Sequence, residues 1–342
     1  MNSVGGGGVK RNIFMKIQLA HSFEEMISVE NILAAWQEFQ KGKRARIDVG
    51  EFELSLMDNI FELHHDLVNH TYKHAGYQAF NICDPKSRNI HKATVRDRLV
   101  HRGVYRILYP FFDRIFISDA FSCRENKGTH RALNRFRKLG YIVSKNNTRT
   151  CWVLKCDIKK FFASIDHKIL LDILKICIPD PDIMWLLEEI IESFSSTRAG
   201  VGLPLGNLTS QLFANVYMNE FDQFVKHKLK AKFYIRYADD FIILSHRKMW
   251  LEKALNPIKE FLKNKLELDL HPDKIFLKTL NSGMDFLGWA NFFTHRVLRT
   301  STKRRMLKNL AISQNPAALN SYLGLLKHGN AYKLSSIIKF GL

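Results

Sequence analysis

The five cysteines of this chain, Cys83, Cys123, Cys151, Cys156 and Cys177, show no Cys-x-x-Cys or paired-His spacing. Neither a zinc module nor a disulfide framework is indicated, and the cysteines read as reduced, mostly core thiols. Nowhere do about eighteen apolar residues follow one another, and the N-terminus has no apolar signal-peptide core, so the expectation is a cytoplasmic protein with no membrane partner. Acids are also scarce. The 342 residues carry 33 Asp plus Glu against 52 Lys plus Arg, a formal net charge of +19. A compact chain so charged repels itself unless a polyanion offsets it, which points to nucleic acid. Contact with six to ten phosphates would weaken binding by about 10³–10⁵ between 50 and 200 mM salt. No internal repeat is apparent.

What the chain does have is Tyr237-Ala-Asp-Asp240 between two strand-forming runs. Phe233, Tyr234, Ile235 and Tyr237 lead in and Phe241, Ile242, Ile243 and Leu244 lead out, with Ala-Asp-Asp as the only plausible turn. This predicts a hairpin with two acids at its tip. Upstream, Cys151-Trp-Val-Leu-Lys-Cys-Asp157 reads as a buried strand. Its period of two puts Val153, Lys155 and Asp157 on one face and Leu154, Cys156 and Ile158 on the other, so Asp157 ends the strand facing the hairpin. Carboxylates brought within a few ångströms in a dry core cannot all stay ionised without compensation, which makes sense around a hard divalent cation. The expectation is a two-Mg²⁺ site, with Mn²⁺ as a substitute, in which ions about 3.5–4 Å apart activate a primer 3′-hydroxyl and hold a triphosphate. An Asp-Asp turn alone is an ordinary solvated feature, so the context has to carry the inference.

That context is a set of motifs in fixed order: Lys155-Cys-Asp-Ile-Lys-Lys-Phe-Phe-Ala-Ser-Ile-Asp-His167, Gly206-Asn-Leu-Thr-Ser-Gln211, Tyr237-Ala-Asp-Asp240 and Phe286-Leu-Gly-Trp289. Together they resemble a reverse transcriptase over about residues 25 to 335, of the bacterial branch that includes group II introns, retrons and diversity-generating retroelements. Where most of these enzymes read Gln-Gly-x-x-x-Ser-Pro, this chain has Leu205 for the Gln and Gln211 for the Pro. That substitution resembles the diversity-generating branch. The resemblance implies error-prone copying of a template-repeat RNA into cDNA, with misincorporation opposite template adenines, and an oligomeric, basic accessory variability protein as partner. Leucine has no donor or acceptor with which to orient the incoming sugar. Losing a bond of about 0.5–1.5 kcal/mol there would narrow the gap between right and wrong pairs. Leu205 as a packing residue beside Leu203 is the plainer alternative.

The resemblance further implies an α+β fold of right-hand polymerase architecture. Its expected parts are a basic tail (1–24), helix-rich fingers (25–150), a palm (151–290, with a finger-contacting loop at 198–211) and a helical thumb (291–342). Helical spacing of Phe52, Leu56, Ile60 and Leu63 fits the fingers. No room is expected after the thumb for an RNase H, integrase or endonuclease domain. The implied catalytic and metal residues are Asp157, Ile158, Asp239 and Asp240, with Lys274 to protonate the leaving pyrophosphate, although a solvated loop lysine is as good a reading. For the nucleotide, Lys86 and Arg88 would clamp the triphosphate, Phe162 would exclude a ribose 2′-hydroxyl by clash, and Leu205, Gly206 and Gln211 would lie against the nascent pair. For the RNA–DNA hybrid, the residues are Arg96, Arg124, Lys127, Tyr237, Gly288 and Trp289, then Lys303, Arg304 and Arg305 on a basic helix. Arg96-Asp97-Arg98 can equally form structural ion pairs. Asp166 reads as a helix cap rather than half of a dyad with His167, and Thr209 or Ser210 as the cap of the aromatic helix that follows. A non-catalytic RNA-binding scaffold and a retron, abortive-infection or intron enzyme of ordinary fidelity are the competing readings.

Overall fold

The computed structural model describes residues 17–83, 87–312 and 315–340. In chain order the elements are α1 (Phe23–Ile27), α2 (Val29–Phe39), α3 (Ile47–Leu54), α4 (Leu56–Val68), β1 (Gln78–Cys83), β2 (Ser87–Lys92), α5 (Val95–Ile115), α6 (Thr129–Ser144), β3 (Trp152–Asp157), α7 (His167–Cys177), α8 (Pro181–Glu192) and α9 (Leu208–Gln223). There follow β4 (Tyr234–Tyr237), β5 (Asp240–Ser245), α10 (Lys248–Leu266), β6 (Phe276–Thr279), β7 (Met284–Phe286), β8 (Trp289–Asn291), β9 (Arg296–Leu298), α11 (Thr300–Ile312), α12 (Pro316–Leu326) and α13 (Tyr332–Phe340). The described residues form two compact units, one within Met1–Phe116 and Lys160–Asn219 and the other within Ile117–Lys159 and Glu220–Leu342.

The first unit is helical. Short polar side chains start its helices by satisfying their free amides. Ser22 and Glu25 make a capping box on α1, Thr94 accepts from Asp97 N on α5, and Asp166 accepts from Ile169 N on α7. The helical spacing of Phe52 to Leu63 is broken at Ser55, where φ of −119° and ψ of 42° separate α3 from α4. The exposed β1–β2 hairpin pairs Cys83 with Ser87 and Gln78 with Lys92. It was not expected, because its apolar alternation is confined to Phe80 and Ile82 about Asn81. Thr209 and Ser210 lie inside α9 rather than capping it: the Thr209 hydroxyl is 3.0 Å from His101 Nδ1.

In the second unit an antiparallel sheet runs in the order β4-β5-β3-β6. Both faces are buried, with Val153, Leu154, Phe241, Ile242 and Ile243 at 1% exposure or less. The register pairs Val153 with Leu244, Lys155 with Ile242 and Asp157 with Asp240. Val153, Ile242 and Leu244 join Leu133 and Phe136 of α6 in one core. Lys155, Asp157 and Asp240 continue that same face, because side chains alternate along each strand. A second sheet, β7-β8-β9, encloses Trp289 and carries the chain into α11.

Candidate active site

The hairpin turn is tighter than Ala-Asp-Asp. Tyr237 pairs with Asp240, so the turn is Ala238-Asp239 and Asp240 already belongs to β5. Only Asp239 is at the tip. Its carbonyl oxygen accepts from Ile158 N at 3.2 Å, which fastens the tip to the end of β3. With Asp157 opposite Asp240, the three carboxylates gather at one end of the sheet. Beyond Ile158 the chain is lined by the segment after α10: Ile158 bridges Leu270, Lys159 N donates to Asp269 O at 2.9 Å, and His271 N donates to Asp157 O at 2.8 Å. That segment ends in a 3-10 turn, Pro272–Lys274, and places Lys274 Nζ 2.7 Å from Asp157 Oδ1.

Asp240 has a cation of its own. Lys155 is its diagonal neighbour on the same face, and Lys155 Nζ lies 3.1 Å from Asp240 Oδ2. The other oxygen, Oδ1, is buried with no hydrogen-bond partner. Burial pushes the Asp240 carboxyl up to about 7; Lys155 opposes this, and the neighbouring charges of Asp157 and Asp239 add to it. An unpartnered buried carboxylate oxygen beside two other acids is a donor set for a hard divalent cation. Among the described residues no three His, Cys, Asp or Glu side chains converge on one point. Lys155 and Lys274 hold two of the three acids instead, and the residues fit a cation that would share this charge.

A second feature lies in the first unit. A cavity of about 320 Å³ is lined by Lys43, Arg46, Lys92, Arg98 and Arg102, by Phe39, Phe80 and Ile90, and by Gly206, Asn207 and Gln211. Burial first, then the fields of Arg102, Arg98 and Arg46, holds the Lys43 ammonium below its ordinary value. Asp48, on Lys92 at 2.7 Å and also on Arg98, is the counter-ion there. Arg102 Nε is buried without a hydrogen-bond partner. Crowded cations that depress one another are relieved by an anion. The Gly206 backbone, at φ 111°, comes so close to the hairpin that an added Cβ would stand 2.9 Å from Ile90 Cγ2. In the cavity lining, burial and then His74 push His101 down to about 3, so it stays neutral.

The structure thus brings Gly206 and Gln211 to the cavity, whereas Leu205, Arg88 and Phe162 are not part of its lining. Leu205 is half-buried and its carbonyl accepts from His91 N at 3.0 Å. Arg88 is exposed on β2, and Lys86 lies outside the described residues. Phe161 is core at 3% exposure, and Phe162 is half-buried edge-on to it at 5.4 Å. Arg96 is held by Asp66 and lies over the Tyr72 ring at 5.0 Å, a structural pairing. Arg124 Nη1 donates to Ile117 O at 2.7 Å and Lys127 Nζ to Ser118 O at 2.8 Å, which ties their loop together. Tyr237 Oη is 3.2 Å from Thr129 Oγ1. Gly288, at φ 82°, and Leu287, at φ 51°, turn β7 into β8, and Trp289 is 1% exposed, so the ring itself is core. Lys303 and Arg304 are exposed on α11 and Arg305 is half-buried. Sequence reasoning gave no role to Lys155, Lys43, Arg102, Arg236 or Asp222. The period of two already set Lys155 beside Asp157, and Arg236 is the lone charge in an apolar run; Lys43 and Arg102 carry no local signal.

Residues 81–290 match the sequence profile of the reverse transcriptase (RNA-dependent DNA polymerase) family. The chain belongs to the reverse transcriptase family. Among curated proteins it is similar to Protein YkfC of Escherichia coli K12, 26% identical over 255 residues that cover 64% of this chain and 65% of that one. It is also similar to the group II intron-encoded protein LtrA of Lactococcus lactis, at 24% identity over 64% of this chain and 46% of the relative. The chain therefore spans less than two thirds of the length of these relatives. The solved structure of apo telomerase from Candida tropicalis aligns with a TM-score of 0.52 at 12% identity, over 68% of this chain and 50% of that one. This likeness concerns the fold, and the mixture of helices with an antiparallel sheet is that of a right-hand polymerase. Reverse transcriptases use divalent cations, an RNA template and deoxynucleoside triphosphates. No helix among the described residues is long and apolar enough to cross a membrane.

Proposed function

We propose that this protein is an RNA-directed DNA polymerase whose active site is the group Asp157, Asp239 and Asp240. The observation that carries the reading is the meeting of these acids at one sheet end with Asp240 Oδ1 buried and unpartnered. Two Mg²⁺ ions, or Mn²⁺ in their place, would be held by the three carboxylates and by Ile158, which has only its carbonyl oxygen to offer; when bound they supply Lewis acidity to the primer hydroxyl and the triphosphate. Lys274 and Lys155 hold Asp157 and Asp240 and would yield them to a bound cation. Lys274, 2.7 Å from Asp157, would give a proton to the departing pyrophosphate. The cation-lined cavity takes part of a polyanionic strand, and the exposed cations of α11 take another. In this reading residues 25–150 act as fingers, 151–290 as palm and 291–342 as thumb.

The finer assignment is to the diversity-generating branch, with a template-repeat RNA, adenine-directed errors and an oligomeric accessory variability protein as partner. Leu205 before Gly206 and Gln211 after Ser210 support it. The similarity to a group II intron-encoded protein favours a second reading, an enzyme of ordinary fidelity. Extension of a primed RNA with Mg²⁺, beside Asp239→Asn, tests both. Synthesis falling by about 10³-fold or more in the variant supports the polymerase. Errors concentrated at template adenines, and fewer of them in Leu205→Gln, support the mutagenic branch; accurate cDNA supports the other. No synthesis by the wild type, even with accessory protein and cognate RNA, restores the RNA-binding scaffold.

A further inference from the structure

The strand that leads into the acid turn carries a full charge in its core. Arg236 is 1% exposed among residues that are otherwise apolar, and it meets Asp222, which is 0% exposed, from α9. The pairing is a fork: Nε donates to Asp222 Oδ1 at 2.8 Å and Nη2 to Oδ2 at 2.7 Å, while Tyr234 Oη donates to Oδ1 at 2.6 Å. The third edge of the guanidinium faces the turn, where Nη1 donates to Ala238 O at 3.2 Å. Around it the backbone of Arg236 is fastened on both sides, its N–H to Asp119 O at 3.0 Å and its carbonyl to Phe121 N at 2.9 Å. Asp119 in turn holds Arg135 at 2.7 Å.

Ala238 has φ 54°, a left-handed conformation in which a Cβ is disfavoured and which two-residue hairpins normally give to glycine. Something other than intrinsic preference therefore holds it. Apolar residues of the same volume would fill the space of the Arg236–Asp222 pair without the cost of desolvating two charges, so stability is a weak reason for it. What apolar residues cannot do is donate to the Ala238 carbonyl.

We infer that Arg236 and Asp222 are a positioning pair: the guanidinium, locked by Asp222, holds the left-handed turn at Ala238 and through it aims the Asp239 carboxylate. The inference rests on the polymerase reading for what Asp239 does, but the geometry it describes is independent of the reaction. The test uses the full chain as wild type, Arg236→Lys, Asp222→Asn and the double variant Arg236→Lys/Ala238→Gly. Mn²⁺ binding is followed by electron paramagnetic resonance and, separately, primed extension is resolved into kcat and the KM for deoxynucleotide.

Lysine keeps the charge but cannot reach both Asp222 oxygens and Ala238 O together. Arg236→Lys is expected to lose about 10–100-fold in Mn²⁺ affinity and in kcat with KM little changed, as removal of an orienting partner behind a metal ligand does. Glycine takes a positive φ without steric cost, so Ala238→Gly should restore part of both losses. A purely structural role would not be mended by a change at the turn. Wild-type Mn²⁺ binding in Arg236→Lys, or a double variant no better than the single one, overturns the inference. Should Arg236→Lys fail to fold, the same losses in folded Asp222→Asn uphold it, and wild-type behaviour or a second failure to fold overturns it by making the pair a folding element only. A wild type that never extends a primer yet shows these Mn²⁺ shifts would refute the polymerase reading and leave the positioning pair standing.

Discussion

The acid site and the cation-lined cavity show opposite ways of holding charge. At the sheet end, half-buried carboxylates are neutralised from within the same fold, Asp157 by Lys274 and Asp240 by Lys155. The cavity has five lining cations against Asp48, which faces Lys92 and Arg98, and Glu38, 3.6 Å from Arg102, so cations outnumber close counter-charges among the described residues. The first arrangement is self-sufficient until a stronger cation arrives, and the second remains in want of an anion. The difference teaches that a net charge of +19 is not spread evenly in its consequences. One region chooses a small, hard ion through fixed oxygens, and the other a long polyanion through many loosely placed donors.

The sharpest way to break this comparison is to remove a lysine that serves the acids. Lys274→Met is expected to slow chemistry by about 10²-fold at saturating template, with template affinity unchanged, because a positioned proton donor is worth that much. Single-turnover extension measures it. A variant that instead loses template affinity at full chemical rate would move Lys274 from the acid site to the strand-binding surface.

Charge removed from the cavity should do the reverse. Lys43→Gln with Arg102→Gln is expected to weaken primer–template binding by about tenfold at 0.15 M salt and to lower the salt slope by about two, one for each phosphate no longer neutralised. Neither side chain belongs to the acid site, so kcat is expected to stay the same. A salt series of fluorescence anisotropy titrations reads this directly, and an unchanged slope would mean that no phosphate enters the cavity.

The two regions also differ in how far the sequence discloses them. Asp157, Asp239 and Asp240 were legible because each ends or begins a strand written in apolar, β-branched residues, and because a period of two assigns faces. The helix cap at Asp166 and the turn at Gly288 were legible for equally local reasons. At the acid site the turn length differs from the expectation: Asp240 joins the strand because Tyr237 and Asp240 close a two-residue hairpin. The cavity was not legible. Lys43 and Arg46 follow α2, Lys92 ends β2, and Arg98 and Arg102 lie on α5, so no window of sequence contains them. The β1–β2 hairpin that walls it is solvent-exposed along β1 and offers only the short alternation of Phe80 and Ile82. Arg96 shows the converse hazard: its place in a basic run suggests nucleic acid, but Asp66 claims it.

The smallest effect concerns stability, and its sign follows from which state holds the proton. Asp240 is raised to about 7 in the fold, chiefly by burial, whereas in the unfolded chain it ionises near the ordinary carboxylate value. Between those two values the folded protein binds a proton that the unfolded chain has released. Stability from this group is therefore lost as pH rises through the window, and the loss is complete above about pH 7. Asp240→Asn removes the charge and with it the cost, offset in part by leaving Lys155 without its partner. The expected outcome, in chelator at pH 8, is a variant more stable than wild type by about 1–2 kcal/mol, or a few degrees in melting temperature, with the gain shrinking at pH 5. Added Mg²⁺ should then stabilise the wild type more than the variant, which keeps only Asp157 and Asp239 of the three carboxylates. If the variant melts lower at pH 8, Lys155 already stabilises the ionised form, and the acid site has less need of an external cation than its buried oxygen suggests.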